Sequence, residues 1–242
     1  QFIKVIDKKF WLDSITMTIK EIEKNNLNFI AKTLKSRDQW RLFGHGKVGY
    51  LDIETTSLYK ECGYITTAVL HCISFTKIYV NGINLDELPS DINEFDVLVT
   101  YNGKCFDVPF IEHHYNTKIE CIHLDLRYIL SNIGYTGGLK SIETQLGFPQ
   151  RDDDVDGCLA VSLWHKYKEN NDMEALRSLI AYNFEDTVRL EYLMTFAYNI
   201  NVERLSQFFE KIELPSMSKI NPYTNCDIHN IQSNLVHHLH TG

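Results

Sequence analysis

Asp52 and Glu54 stand one residue apart in GYLDIETTSL. On a strand, alternate side chains share a face ~7 Å apart, so both carboxylates point the same way while Leu51 and Ile53 face the opposite layer. Like charges ~4 Å apart repel by about 4 kcal/mol at an effective dielectric near 20, and a divalent cation removes that cost. The spacing by itself is common, since 32 acids in 242 residues produce about four acid-x-acid pairs by chance. Two solvent-facing acids on an edge strand are the plain alternative.

Further acids lie downstream. In LVTYNGKCFDVPFI, the apolar run Val97-Leu98-Val99 leads through Asn102-Gly103 to Asp107, ahead of Pro109 at an expected helix start. An Asp in that place also serves as an ordinary N-cap, worth about 1 kcal/mol, and Asn102 as turn chemistry. In AYNFEDTVRLEYL, Tyr182 and Asp186 are four apart; on a helix such residues are offset by ~40° and ~6 Å and form one stripe. The bland role for Tyr182 is a core aromatic with a bonded hydroxyl. Together, four carboxylates from three separate elements match the ligand count that two hard divalent cations require. Oxygen donors without Cys or clustered His select Mg²⁺ or Mn²⁺ over zinc.

With these motifs in order, the chain resembles the DEDD superfamily of 3′–5′ exonucleases on a ribonuclease-H-like fold. Tyr182, with Ala181 where the histidine branch carries its His, resembles the tyrosine (DEDDy) branch. The stretch RDDDVDGCLAVSLWHKYKENNDMEALRSLIAYNFEDTVRLEYL is similar to the YprB-type, or RNase_H_2, predicted exonuclease family, and the similarity covers about residues 45–198. The resemblance implies metal ligands at Asp52, Glu54, Asp107 and Asp186, and Tyr182 positioning the attacking water. In that scheme Asp52 bridges two ions, Glu54 and Asp186 hold the first, and Asp107 holds the second. A phenol orients water better than it takes a proton at neutral pH. His123-Leu124-Asp125-Leu126-Arg127 matches the family's HLDLR segment, and GGLKSIETQLG its helix with Lys140.

The elements that must carry these groups can be read from periodicity. Apolar residues Ile15, Ile19, Ile22, Leu27, Ile30 and Leu34 near helical spacing predict one or two helices over 14–36. Strand-like runs follow at Tyr50–Ile53, Tyr64–Phe75, Lys77–Val80 (closed by Asn81-Gly82), Val97–Tyr101 and Ile119–Asp125. Helices are expected over Asp107–Tyr115 and near 126–132, 138–146, 155–170 and 172–199. That order is an α/β or α+β pattern; the resemblance narrows it to an α/β ribonuclease-H-like fold, a mixed central sheet flanked by helices. Three parts are expected: a basic helical arm over 1–44, a nuclease domain over 45–214, and a Pro/Asn/Ser/His-rich tail over 215–242.

The chain has 44% hydrophobic and 23% charged residues, a globular composition, and no apolar run of membrane-spanning length. Its first residues are mixed and charged, unlike a secretory leader. The net charge of −8 argues against a general nucleic-acid coat. Residues 1–47 nevertheless carry net +5 against −13 downstream, so the arm either contacts nucleic acid or packs on the acidic body through charge complementarity. Six scattered cysteines without a C-x-x-C pair predict free thiols and a cytoplasmic location.

Several weaker motifs compete. Asp152, Asp154, Asp156 and Gly157 begin like an EF-hand loop, but the position for its bidentate Glu is Leu163, so Asp156 reads as a helix cap. His113-His114, Cys121-x-His123 and the tail histidines His229, His237, His238 and His240 lack a zinc-like partner set. Trp40 and Trp164 read as packing. The functional expectation is a metal-dependent nuclease acting at the 3′ end of DNA or RNA. Asn102, Lys104 and Lys140 are its candidate substrate contacts; Arg151 and the basic arm add phosphate contacts. Phe106 and Tyr101 either stack a base or pack. A catalytically silent binding module and a structure-specific endonuclease are the alternatives. No membrane partner is expected, and the sequence names no protein partner.

Overall fold

The structure, a computed structural model, describes residues 5–24, 26–149, 157–205 and 210–215. Arg151, the Asp152–Asp156 run, Cys226 and the tail histidines lie outside the described residues. Helices α1 (Val5–Glu23) and α2 (Leu27–Thr33) come first, then a 3₁₀ turn over Ser36–Leu42. The sheet strands are β1 (Val48–Thr55), β2 (Ile65–Cys72), β3 (Phe75–Val80), β4 (Val97–Thr100) and β5 (Ile122–Asp125). Between and after them stand α3 (Leu88–Ile92), α4 (Asp107–Tyr115), α5 (Leu126–Ser131), α6 (Leu139–Gln145), α7 (Gly157–Asn170) and α8 (Met173–Leu205).

The five strands form one mixed sheet in the order β3-β2-β1-β4-β5. β1 pairs antiparallel with β2 and parallel with β4, which is parallel to β5. Helices cover both faces, giving the α/β ribonuclease-H-like arrangement. On one face Leu51, Ile53, Leu70 and Leu98 pack on Ile92 of α3 and Phe110 and Ile111 of α4, with Lys77 paired to Asp91 at the β3 edge. The other face lies under α8, whose 33 residues contain neither Gly nor Pro and whose first turn is capped by Asp172.

Two apolar clusters sit under α8. Val69, Ile78 and Val80 pack with Trp164 of α7 and Leu179, Ile180 and Phe184 of α8. Val97, Val99, Ile122 and Leu124 pack with Leu190, Leu193 and Met194. α2 and the 3₁₀ turn join the latter through apolar side chains, Trp40, Leu42 and Phe43 buried and Leu27, Ile30 and Leu34 half-buried. Lys24–Glu21, Arg37–Asp38 and Arg41–Asp38 are ion pairs within the arm, and Lys47 pairs with Glu94 of the body at 3.0 Å. α2 and the 3₁₀ turn are seated by apolar burial, while Phe10, Trp11, Ile15, Ile19 and Ile22 of α1 are exposed.

Two expectations about elements need correction. Tyr64–Phe75 is not one strand: β2 ends at Cys72 and the chain turns at Ile73-Ser74 into β3. No Gly, Pro or Asn marks that turn, and Ile73, 92% exposed, reads as strand by propensity alone. Helix α3 was not expected; Pro89 in its first turn starts it.

Candidate metal centre

β1 places Tyr50, Asp52 and Glu54 on the face beneath α8 and Leu51 and Ile53 in the opposite core, as strand alternation requires. The β1–β2 register slips between Glu54 and Thr55, so the regular ladder ends beside the acids. α8 crosses above them and brings Asp186, 7% exposed, into the same space. One carboxylate oxygen each from Asp52, Glu54 and Asp186 lie within 4.8 Å of one another.

Asp107, on α4, is not in that three-oxygen cluster but lies close enough for its charge to act on Asp52 and Glu54. It is the first helical residue, as the expected helix Asp107–Tyr115 has it, and Phe106 rather than Asp107 holds the cap place, so the alternative reading of Asp107 as an N-cap does not apply. β4 pairs with β1 only as far as Tyr50, which leaves the N–H of Ile53 without a ladder partner on that side, and Asp107 Oδ1 accepts it at 3.2 Å. A strand N–H is thereby satisfied by a carboxylate, and the carboxylate is fixed against the strand that carries Asp52 and Glu54.

The electrostatics record the crowding. Burial first, then the charges of Asp107, Asp186 and Glu54, hold Asp52 well above the ordinary carboxylate range, and a bond from Asn183 pulls the other way. Burial, Asp186 and Asp107 push Glu54 up to about 8, with Lys140 pulling it down. Asp107 is pushed up to about 7, chiefly by burial. Carboxyl groups held this far from their ordinary range are stabilised as anions only when a cation joins them. The donor set is oxygen alone, which fits hard divalent ions.

Lys140 extends over the ring of Tyr182, 5.4 Å from its centroid. Its helix α6 is held to α8 by Arg189, which pairs with Glu143 at 2.9 Å and with Glu185. Tyr182 is half-buried against the α7–α8 cluster. Lys104 lies further out, its Nζ 3.4 Å from Gln39 Oε1. Phe106 packs on Phe110, and Tyr101 donates its hydroxyl to Gly137 O at 2.8 Å.

Asn102 has φ 66°, the left-handed conformation Asn tolerates. Gly103 follows because a Cβ there would meet Thr100 Oγ1 at 2.3 Å. Asp125, 2% exposed, accepts the N–H groups of Asn102 (2.8 Å), Lys104 (3.0 Å) and Arg127 (3.0 Å). Arg127 donates to Asn102 Oδ1 at 2.6 Å, and His123 bonds Thr100 Oγ1 at 2.8 Å. The HLDLR segment thus braces the loop that leads into Asp107. Sequence reasoning quoted the segment without a role; its alternation of His123, Asp125 and Arg127 was the available signal. Asn183, which donates to Asp52 Oδ2 at 2.7 Å, belongs to the Tyr182-Asn183-x-x-Asp186 run that carries the resemblance, but the sequence assigns it no role.

No curated protein matches the chain. Among solved structures, the family B DNA polymerase of the hyperthermophilic archaeon Pyrobaculum calidifontis aligns at 12% identity and TM-score 0.48, over 64% of this chain and 26% of the polymerase. The chain therefore spans about a quarter of that protein's length. A structure described as the apo form of a nuclease aligns at 14% identity and TM-score 0.43, over 71% of this chain and 79% of that one. Among the described residues, no helix is long and apolar enough to cross a membrane. The family model RNase_H_2, of the RNase_H superfamily, matches residues 49–198, and the chain belongs to that family.

Proposed function

We propose that the protein is a metal-dependent nuclease of the DEDDy type, hydrolysing phosphodiester bonds of DNA or RNA from the 3′ end. The observation that carries this reading is the convergence of Asp52, Glu54 and Asp186 oxygens within 4.8 Å, with Asp107 fixed alongside. Asp52, Glu54 and Asp186 would hold one Mg²⁺ or Mn²⁺, and Asp52 with Asp107 a second. Bound there, such ions supply a water nucleophile at neutral pH and stabilise the leaving 3′ oxygen.

The chain's own residues do the rest. Tyr182, four residues before Asp186 on α8, orients the attacking water through its hydroxyl. Lys140, over that ring and near enough to Glu54 to lower its proton affinity, offers its ammonium to a phosphate oxygen. The braced Asn102–Lys104 loop presents an amide and a cation to the strand leading to the scissile bond. The reading places the protein in the cytoplasm, with nucleic acid as its partner.

A cleavage panel tests it. The 242-residue chain is incubated with Mg²⁺ or Mn²⁺ and 3′-labelled linear DNA or RNA, alongside a circular single strand. Release of labelled mononucleotide from linear substrate, an intact circle, and no release by Asp52→Asn are expected. Equal product from wild type and Asp52→Asn overturns the enzyme reading, and cutting of the circle overturns the exonuclease assignment.

A further inference from the structure

We propose that Asn183 is a positioning residue that orients the Asp52 carboxylate for metal binding, and that Thr67 fixes the direction of its amide. The inference rests on the metal-centre reading above and adds residues to it. Asn183 is fully buried at 0% exposure, in the middle of the apolar stripe of α8. A buried amide is costly unless its bonds are made, and here they are. Nδ2 donates to Asp52 Oδ2 at 2.7 Å, Oδ1 accepts from Thr67 Oγ1 at 3.2 Å, and the backbone carbonyl accepts from Thr187 Oγ1 at 2.7 Å. Thr67 and Thr187 are themselves buried at 0% exposure. The chain of bonds runs from β2 through α8 to β1.

The geometry suits a ligand that must be aimed before the ion arrives. A carboxylate flanked by three other acids is driven to rotate away from them, and rotation about its terminal torsion is soft. Lys or Arg would stop it but would also neutralise the charge that a cation requires. An amide donor fixes the direction without adding charge. Once a cation holds Asp52 as the anion its carboxylate only accepts, so the amide presents Nδ2 to it and the Thr67 hydroxyl meets the carbonyl side, as in the observed bonds. A flipped amide would set oxygen against oxygen.

The experiment is Mn²⁺ titration calorimetry on the full chain with thermal melting of each metal-free variant, and Asp52→Asn as the control. Asn183→Leu, with the same branching but no polar atoms, is expected to bind Mn²⁺ roughly 10–100-fold more weakly with its melting transition still cooperative. Thr67→Val is expected to weaken binding less, Thr67→Ser to restore it, and Thr67→Val in the Asn183→Leu background to add nothing. A merely structural role for Asn183 would move melting and leave Mn²⁺ affinity alone, and that result overturns the proposal. Should Asn183→Leu fail to fold, the contrast between Thr67→Val and Thr67→Ser decides: equal affinities overturn it. Wild type showing no Mn²⁺ binding that Asp52→Asn abolishes would overturn the metal centre itself, and this inference with it. Normal wild-type binding with unaffected Asn183 and Thr67 variants would overturn only the positioning role.

Discussion

Asp107 Oδ1 accepts the backbone N–H of Ile53 at 3.2 Å, one strand position from both Asp52 and Glu54. The bond gives Asp107 two tasks. It completes the hydrogen bonding of β1 beyond the last β1–β4 pair, Tyr50↔Val99, and it holds an ionisable carboxyl, 3% exposed, beside other acids.

The two tasks separate under mutation. Asp107→Asn keeps an acceptor for Ile53 and removes the charge, so metal-free protein at pH 8 is expected to gain about 1–2 kcal/mol in urea unfolding while nuclease activity is lost. Asp107→Ala orphans the N–H and is expected to be less stable than the Asn variant by about 1–3 kcal/mol. A lower urea midpoint for Asp107→Asn than for wild type would show that the charge is not a burden.

Glu54 sets a second expectation. Its carboxyl is pushed from 4.5 up to about 8, by burial first and by Asp186 and Asp107 next. The folded protein therefore keeps this proton where the unfolded chain has released it. The stability it contributes is full below about pH 4.5 and is lost as pH rises through 8. Metal-free protein should lose stability on the order of 3 kcal/mol across that rise; Glu54→Gln should reduce the loss, leaving the share of Asp52 and Asp107, and saturating Mn²⁺ should reverse it. Calorimetric melting at pH 6.5 and 8.5 with EDTA, then with Mn²⁺, reads all three. Parallel slopes for wild type and Glu54→Gln would contradict the assignment.

The parts of the site legible in the sequence are those fixed by local geometry. Strand alternation dictates that Asp52 and Glu54 share a face, and helix spacing dictates that Tyr182 and Asp186 share a stripe. The start of α4 at Asp107 follows from the loop residues Asn102-Gly103 and from Pro109. What the sequence could not display is contact across the fold. Asn183 and Asp52 are 131 residues apart, and Asn183 lies in an apolar stripe where a single amide carries no periodic signal. The acceptor role of Asp107 depends on β4 ending before β1 does, a matter of strand lengths in space. The turn at Ile73-Ser74 escaped because its first residue is a strand former held exposed by the register of β2 with β3.

His123 gives an acid-side prediction with the opposite sign to Glu54. Burial, aided by the charge of Lys104, lowers its imidazole from 6.5 to about 4. The unfolded chain takes up that proton first as pH falls, so the contribution of neutral His123 is fully present above about 6.5 and is lost on descent toward 4. The loss is on the order of 3 kcal/mol. In His123→Gln, which keeps a polar partner for Thr100 Oγ1, the urea midpoint should change much less between pH 7 and pH 4.5. An unaltered acid slope in that variant would assign the sensitivity elsewhere.

Asp125 and Arg127 both hold the loop before Asp107, yet they should fail differently. Asp125 is buried and accepts three backbone N–H groups, so Asp125→Ala leaves them without an acceptor and is expected to cost about 3 kcal/mol in urea unfolding. Arg127 is exposed and its described bonds reach only the Asn102 side chain and its own helix cap. Arg127→Ala should therefore change stability little. Its effect should fall on catalysis, because Asn102 loses the bond that orients its amide, and a loosened substrate contact raises KM before it lowers kcat. Steady-state kinetics on a 3′-labelled oligonucleotide, together with urea unfolding of both variants, separates the two cases. A larger stability loss for Arg127→Ala than for Asp125→Ala would reverse the division of labour drawn here, and place the strength of the brace at the surface instead of in the buried carboxylate.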